Sequence, residues 1–370
     1  MSVPFNDLSR RYEAHASEIN AVAKRVLQSG YYVLGPEVRA LEDRFAVLMN
    51  AGGAAGVNSG TDAIAIALKA LGVGPDDEVI TVANTCTPTV AAIRMTGAMP
   101  VFADIDRETF VIDPSDLEHR ITPRTKAIVP VHLYGFPADM VRINEIALRR
   151  DLIVVEDCAQ SIGATVAGSP AGSFGHAAAF SFYPTKNVGA FGDGGMIVAK
   201  DPAIAARARR IRMYGEEKRY EAVEEGMNSR LDELQAALVA WGMERIDAWN
   251  ARRNEIAMRY KESIKNSAVT LPTQVQDGRE GVWHLFVVRV AERTRFIEHL
   301  KKEGVGSSIH YPAPVFEQSA YSFLNEDGST LPITKEVVSK VVSLPLFPEL
   351  TDKEVGLVVD AVNSYSQTVE

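Results

Sequence analysis

Cysteine is scarce: Cys86 and Cys158 are the two in a chain of 370 residues. Neither stands in a CxxC or zinc-like spacing, so a disulfide framework is excluded and a structural metal is not expected. The seven histidines are scattered and form no HExxH pair, which removes that class of metal enzyme. Nowhere do eighteen uncharged apolar residues run together, so no membrane span is expected. The opening MSVPFNDLSRRYEAHASEI carries charge from position 7 onward and lacks the apolar core of a secretory signal; the expected location is the cytoplasm. Basic residues are in deficit, 39 Lys and Arg against 48 Asp and Glu. The resulting net charge of −9 argues against general nucleic-acid affinity, although a local pocket can still be basic enough to hold a phosphate. Internal repeats and low-complexity tracts are also missing. Small molecules are therefore the expected partners, with no nucleic acid and no membrane.

What the chain does contain is enough apolar sequence, 46%, to bury a large core, and its length corresponds to roughly two or three domains. From position 50 to about 200, short runs rich in Val, Ile and Ala alternate with segments of helical period, the pattern of βαβ units. The runs AAGVN, EVITV, PVFAD, KAIVPVH, LIVVED, AAFSF and GGMIVAK read as strands, apolar on both faces and closed by polar residues or glycine. That predicts a mostly parallel sheet covered on both sides. Between the strands, TDAIAIALKALG has a Thr/Asp start and a Gly stop, and ADMVRINEIALRR ends in arginines, which suit a helix C-terminus. Beyond position 228 comes one long amphipathic stretch, SRLDELQAALVAWGMERIDAWNARRNEIAMRYKESI, which predicts a helix near 229–264 joining two domains. HLFVVRV, TRFIEHLKKEG, SSIHY and DKEVGLVVDAVNSY then predict a smaller α+β domain, with LPTQVQDGREG at the junction. The expected division is a large domain at 1–245, N-terminal helical segment included, and a small domain at 246–370.

In an open α/β sheet ligands collect at the carboxyl ends of the strands, so polar residues just after an apolar run are the first candidates. In LIVVEDCAQS these are Glu156, Asp157 and Gln160; an acid at a strand end is by itself usually a solvated or capping residue. In AAAFSFYPTKNVGAFGDGGMIV, Lys186 sits in a Gly-rich, nearly uncharged loop among Phe180, Phe182, Tyr183 and Phe191. A lone lysine is usually an exposed loop tip. In these surroundings it is partly desolvated, which lowers its pKa and frees its amine to attack an aldehyde. An acid at one strand end and a lysine about thirty residues later, after an intervening strand, match the paired requirement of pyridoxal 5′-phosphate (PLP). That cofactor needs an amine for its imine and an anion on its pyridinium nitrogen. In NSGTDAI, Gly60 and Thr61 open a helix directly after a strand, and free N–H groups there favour an anion such as the PLP phosphate. As a plain N-cap the same residues need no function. Ser181, on the strand before Lys186, offers another hydroxyl. Asn228 in GMNSRLDELQAA heads the long helix, where alone it reads as a cap.

At these residues the sequence resembles the DegT/DnrJ/EryC1/StrS family, the PLP-dependent aminotransferases of nucleotide-linked sugars. VPFNDL, SGYYVLGPEVRALEDRFA, NSGTDAIAIAL, VPVHLYG, VVEDCAQSIGA, FSFYPTKN, NSRLDELQAAL and HYPAP follow one another in the family's order. The resemblance implies an α/β, aspartate-aminotransferase-like (fold type I) architecture. It implies that Lys186 holds the cofactor as an imine and shuttles the proton between cofactor and substrate carbon. Asp157 would pair with the ring nitrogen, and Gln160 would lie near the phenolic oxygen. Gly60, Thr61 and Ser181 would hold the phosphate, with Asn228 reaching it from a neighbouring subunit, so that a homodimer shares its active sites. Tyr183, His310 and Tyr311 would lie near the sugar. Two positions depart from the family pattern. Cys86 in TVANTCTPTV stands where the family usually places an aromatic or other flat side chain against the cofactor; a thiol offers a polarizable contact instead. Phe316 in HYPAPVFEQ stands where many relatives acting on dTDP-linked sugars have histidine.

The loop KNVGAFGDGG resembles that of members aminating carbon 3 of a nucleotide-linked hexose, whereas carbon-4 members more often show a TTGEGG-like loop. A loop beside the lysine helps decide which ring carbon can approach it. The resemblance thus implies ping-pong transamination of a dTDP-3-keto-6-deoxyhexose with L-glutamate as amino donor. The alternatives are a 4-keto or UDP-linked sugar, or a non-catalytic PLP-binding regulator. Dehydratases on the same scaffold replace the lysine with histidine. A nicotinamide-dependent dehydrogenase would need GxGxxG after the first strand, which AGGAAGVNSG does not supply.

Overall fold

Seven short strands carry the expected apolar runs: β1 (Gly53–Val57), β2 (Glu78–Val82), β3 (Met99–Ala103), β4 (Thr125–Ile128), β5 (Ile153–Asp157), β6 (Ala177–Ser181) and β7 (Gly195–Ala199). In the computed structural model, which describes residues 2–273, 277–324 and 326–366, they form one sheet in the order β1-β7-β6-β5-β4-β2-β3. β7 pairs antiparallel with both β1 and β6, and the remaining pairs are parallel. β4 is shorter than the run KAIVPVH because Pro130 has no N–H to give to a ladder; beyond it Val131 meets β5 through an isolated bridge to Asp157.

Helices α1 (Leu8–Ser29), α2 (Pro36–Leu48), α3 (Gly60–Ala70), α4 (Thr87–Met95), α5 (Pro114–His119), α6 (Met140–Arg150) and α7 (Pro202–Ile211) come from the same part of the chain. Alternate strand residues face opposite sides. Ala55, Val57, Ala177, Ala179, Ile197 and Ala199 pack with α3 and α7, while Ala54, Ala178, Phe180, Met196 and Val198 pack with α2. The sheet is therefore covered on both faces, and its strands are apolar throughout for that reason. The mostly parallel α/β architecture expected of a fold type I enzyme is present.

Register brings the chemistry to one edge. Gly195 is the register partner of both Val57 and Ser181. The carboxyl ends of β1 and β6 and the start of β7 thus meet, and the loop 182–194 with Lys186 leaves and returns at that edge.

The single helix predicted near 229–264 is instead two, α8 (Glu233–Met243) and α9 (Ile246–Ser263). Arg245 makes the break. Its N–H bonds back to the Gly242 carbonyl, and its guanidinium takes the Trp241 carbonyl at 2.8 Å, the group that an unbroken helix would pair with the Arg245 N–H. Gly242 is also a weak helix former.

β8 (Val269–Thr270), β9 (Phe286–Val290) and β10 (Val341–Leu344) form a second, antiparallel sheet, flanked by α10 (Arg293–Lys302), α11 (Pro332–Lys340) and α12 (Asp352–Asn363). Its core joins Phe286, Phe296, Leu300 and Val358 with Ile256, Ala257 and Tyr260 of α9. The first residues, which the sequence grouped with the large domain, pack here: Val3 is buried in this core and bridges to Val305, and Arg10 bonds Glu354. In the predicted junction LPTQVQDGREG, residues 274–276 lie outside the described residues; Arg279–Glu280 pairs with Thr165–Val166. Among the described residues no helix is long and apolar enough to cross a membrane.

Candidate active site

At the carboxyl edge of the sheet lies a cavity of about 280 Å³ lined by Gly60, Thr61, Cys86, Asp157, Gln160, Ser181, Tyr183 and Lys186, together with Thr85 and Thr89. Eight predicted site residues are thus brought together. Asp157 ends β5 and is buried, 4% exposed. Its Oδ2 accepts the Thr89 hydroxyl at 2.8 Å and its Oδ1 the Ala159 N–H at 3.1 Å. Burial pushes this carboxyl up, while the Ala159 N–H, the Thr89 hydroxyl and the charge of Lys186 pull it down. Burial lowers the Lys186 ammonium, against Asp157 and Cys86, which raise it. A half-buried lysine held beside an acid is the arrangement that keeps an amine available for attack on a carbonyl.

The opposite wall is built from backbone. α3 begins at Gly60; Ser59 Oγ caps the Asp62 N–H at 3.1 Å, which leaves the N–H groups of Gly60 and Thr61 without an acceptor inside the helix. Glycine is required at the start, because a Cβ on Gly60 would stand 2.7 Å from the Ser181 Cβ. Two free N–H groups, the Thr61 hydroxyl and Ser181 form a donor set of the kind that binds a phosphate. The residues present therefore fit PLP at both ends: an anion for its ring nitrogen and an anion cradle for its phosphate.

Gln160 is fixed on two sides, accepting the Tyr134 N–H at 2.6 Å and donating to the Tyr311 hydroxyl at 3.1 Å. That hydroxyl also contacts the Cys86 thiol, whose pKa burial raises. Cys86 is the N-cap of α4 and lines the cavity where the family usually places a flat side chain. Tyr311 thus joins the site through Gln160 and Cys86. His310 is one residue further out, with Nδ1 at 2.8 Å from Ser343 Oγ and its ring stacked on Phe5; burial and the charge of Lys186 lower its pKa to about 4. Asn228 is not brought to this cavity: it is exposed and bridges to Met213. Phe316 lies in a small apolar cluster with Phe102, Val315 and Leu331, while Gln318 two residues on bonds the Thr87 hydroxyl.

Glu156, a candidate beside Asp157, is wholly buried and faces away from the cavity. It accepts from His132 Nε2 at 3.0 Å and from the N–H groups of Gly172, Phe174 and Gly175 at 2.7–2.8 Å. Burial pushes its carboxyl up, yet the His132 bond and charge and the Gly175 and Gly172 N–H groups hold it below the usual value. Sequence reasoning missed Thr85 and Thr89. The rule that picked out Asp157, polar residues just after an apolar strand, also points to them in VANTCTPT after β2.

A family model described as the DegT/DnrJ/EryC1/StrS aminotransferase family matches residues 13–363. The chain belongs to that family. A dTDP-3-amino-3,6-dideoxy-alpha-D-galactopyranose transaminase of Aneurinibacillus thermoaerophilus is 46% identical over 363 residues, 98% of this chain and 99% of that protein. A dTDP-3-amino-3,4,6-trideoxy-alpha-D-glucose transaminase of Streptomyces venezuelae is 42% identical over 369 residues, 100% of this chain and 97% of that protein. The crystal structure of S. venezuelae DesV in complex with a ketimine intermediate matches with a TM-score of 0.96 at 42% identity, covering 100% of both chains. In this member of the DegT/DnrJ/EryC1/StrS family, Lys186, Asp157 and the N-terminus of α3 line one cavity.

Proposed function

We propose that the chain is a PLP-dependent aminotransferase acting on carbon 3 of a dTDP-linked 3-keto-6-deoxyhexose, with L-glutamate as amino donor. The observation that carries this reading is the cavity in which Lys186, Asp157 and the open N-terminus of α3 face a common space. The 3-amino-sugar transaminases at 42% and 46% identity favour carbon 3 and the dTDP carrier, as does the loop KNVGAFGDGG.

When bound, PLP supplies an electron sink that lets nitrogen and a proton be exchanged at the substrate carbon. Asp157, oriented by Thr89 and Ala159, holds a proton on the ring nitrogen. Gly60, Thr61 and Ser181 bind the phosphate, and Gln160 meets the phenolic oxygen. Lys186 takes and returns the substrate-carbon proton as general base and acid, a task that its lowered pKa suits. Tyr183, Tyr311 and a neutral His310 contact the sugar. Asn228 is exposed and outside its own cavity, in keeping with a homodimer in which it reaches the phosphate of the partner's site. We place the domain boundary at the break between α8 and α9.

The test is the visible spectrum of the purified protein with PLP, followed through addition of L-glutamate and then of the keto sugar. Bleaching by glutamate and recovery with the sugar are the expected results, and Lys186→Ala should abolish both. A band that glutamate leaves unchanged would overturn the aminotransferase reading.

A further inference from the structure

Asn187 follows Lys186 directly and is buried, 3% exposed. Its Nδ2 donates to Asn250 Oδ1 at 2.8 Å and to the Val282 carbonyl at 3.3 Å, and its Oδ1 lies 3.0 Å from His284 Nδ1. Two backbone carbonyls fix how these groups are turned. Asn250 Nδ2 must be the donor to the Ile162 carbonyl, 3.1 Å away, so Asn250 Oδ1 is the acceptor that faces Asn187. Asn187 Nδ2 must likewise face Val282 as a donor, which leaves its Oδ1 to accept. His284 therefore carries its proton on Nδ1.

The partners of this amide, among the described residues, come from α9 and from the segment leading into β9. None comes from the loop that carries Lys186. Asn250 also spans two loops of the site at once, holding Asn187 beside the lysine and the Ile162 carbonyl shortly after Asp157. The approach is close: a Cβ on Gly163 would stand 2.7 Å from Asn250 Nδ2. The 282–284 segment is in turn tied to the loop that holds Gln160, through Val282 N–H to the Gly135 carbonyl and His284 N–H to the Tyr134 carbonyl.

We propose that Asn187 is a positioning residue through which α9 and the segment before β9 set the reach of the Lys186 amine toward the substrate carbon. The idea rests on the functional reading above. A lysine that must serve first as a covalent anchor and then as a proton carrier needs its backbone fixed, and a misplacement of about 1 Å can cost on the order of 10²-fold in rate. An amide with every donor and acceptor used supplies that fixity without entering the cavity.

The experiment compares wild type, Asn187→Ala, Asn250→Ala and the double variant, each saturated with PLP. Measured are kcat, KM for the keto sugar, the pH titration of the visible band and the fraction of cofactor retained. Asn187→Ala should lower kcat by about 10- to 100-fold, with KM within about threefold and cofactor retained, and should displace the pH midpoint of the band. Asn250→Ala should show a smaller fall, because Asn187 keeps Val282 and His284, and the double variant should fall by less than the product of the two single effects, because the Asn187–Asn250 bond is lost in either one. Asn250→Ala also carries the test if Asn187→Ala fails to fold. An unmoved band midpoint with kcat within twofold of wild type overturns the inference, as does a fall in kcat that only tracks lost cofactor. A wild type that shows no cycling band overturns the functional reading itself, a result distinct from either.

Discussion

Thr89 donates its hydroxyl proton to Oδ2 of Asp157 over 2.8 Å, and it is the one side chain that bonds this carboxylate among the described residues. Because that proton is committed, the 2.9 Å contact between Thr85 and Thr89 must have Thr85 as its donor. A short relay of hydroxyls thus ends on the acid, opposing the burial that pushes its pKa up.

Thr89→Val removes the donor at nearly constant volume. The Thr89 bond is one of the contacts that lower the Asp157 carboxyl against its burial, so its loss should raise that carboxyl further. Protonation of the acid would end the service proposed for it at the ring nitrogen, so the acid limb of the kcat–pH profile should move upward while Thr89→Ser stays near wild type. Superimposable profiles for Thr89→Val and wild type would remove Thr89 from the site.

Glu156 and Asp157 are neighbours with opposite duties, and substitution should separate them. In Glu156→Gln an amide would meet four converging donors, from His132, Gly172, Phe174 and Gly175. Breaking such a buried set costs about 3 kcal/mol, so the thermal midpoint should drop while the folded fraction keeps its specific activity. Asp157→Asn keeps an acceptor for the Ala159 N–H, and Thr89 can turn to accept from the new amide; the midpoint should hold and turnover should fall by about 10²-fold or more. Thermal melts and initial rates on both variants decide it, and equal behaviour would contradict the assignment.

Glu156 also marks where sequence reading stops. Strand ends and apolar runs located β2, β5 and β6 nearly to the residue, because a sheet covered on both faces leaves a continuous apolar signature. They could not say which of two adjacent acids points into the cavity; that depends on alternation along β5 and on what the far side packs against. Arg245 shows the same limit for helices, since the amphipathic pattern runs through the break between α8 and α9, where its side chain takes the Trp241 carbonyl. The Asn187–Asn250–His284 contacts join residues far apart in sequence, and no local pattern announces them.

The N-terminus is fastened to α12 by charge, and acid should undo it. Arg10 bonds both oxygens of Glu354, at 2.9 and 2.7 Å, and Glu354 completes the capping box with Thr351. These contacts, led by the Arg10 bond, lower its pKa from 4.5 to about 2. A carboxyl depressed by folding stabilises the fold above its unfolded value, and the contribution fades as pH falls from about 4.5 toward 2. Glu354→Gln should therefore lose roughly 2 kcal/mol near neutral pH, and the gap to wild type should narrow in denaturant melts at pH 4 and pH 3. A gap of constant size would show that charge is not its source.

Asn228 gives the clearest test of shared sites, because its exposed position outside its own cavity makes opposite predictions for a monomer and a dimer. If it completes the partner's phosphate site, Lys186→Ala and Asn228→Ala damage different subunits of the same site. A mixed dimer of the two variants then has one site bearing both lesions and one site bearing neither. Equal mixing gives half mixed dimers at random exchange, so about a quarter of wild-type activity should return at limiting PLP from two preparations that are each nearly inactive. Activity that stays at the level of the separate variants after verified subunit exchange would confine each site to a single chain and leave Asn228 as an exposed residue bridged to Met213 ahead of α8, whose N-cap is Asp232 and not Asn228 as the sequence suggested, without a part in binding the phosphate.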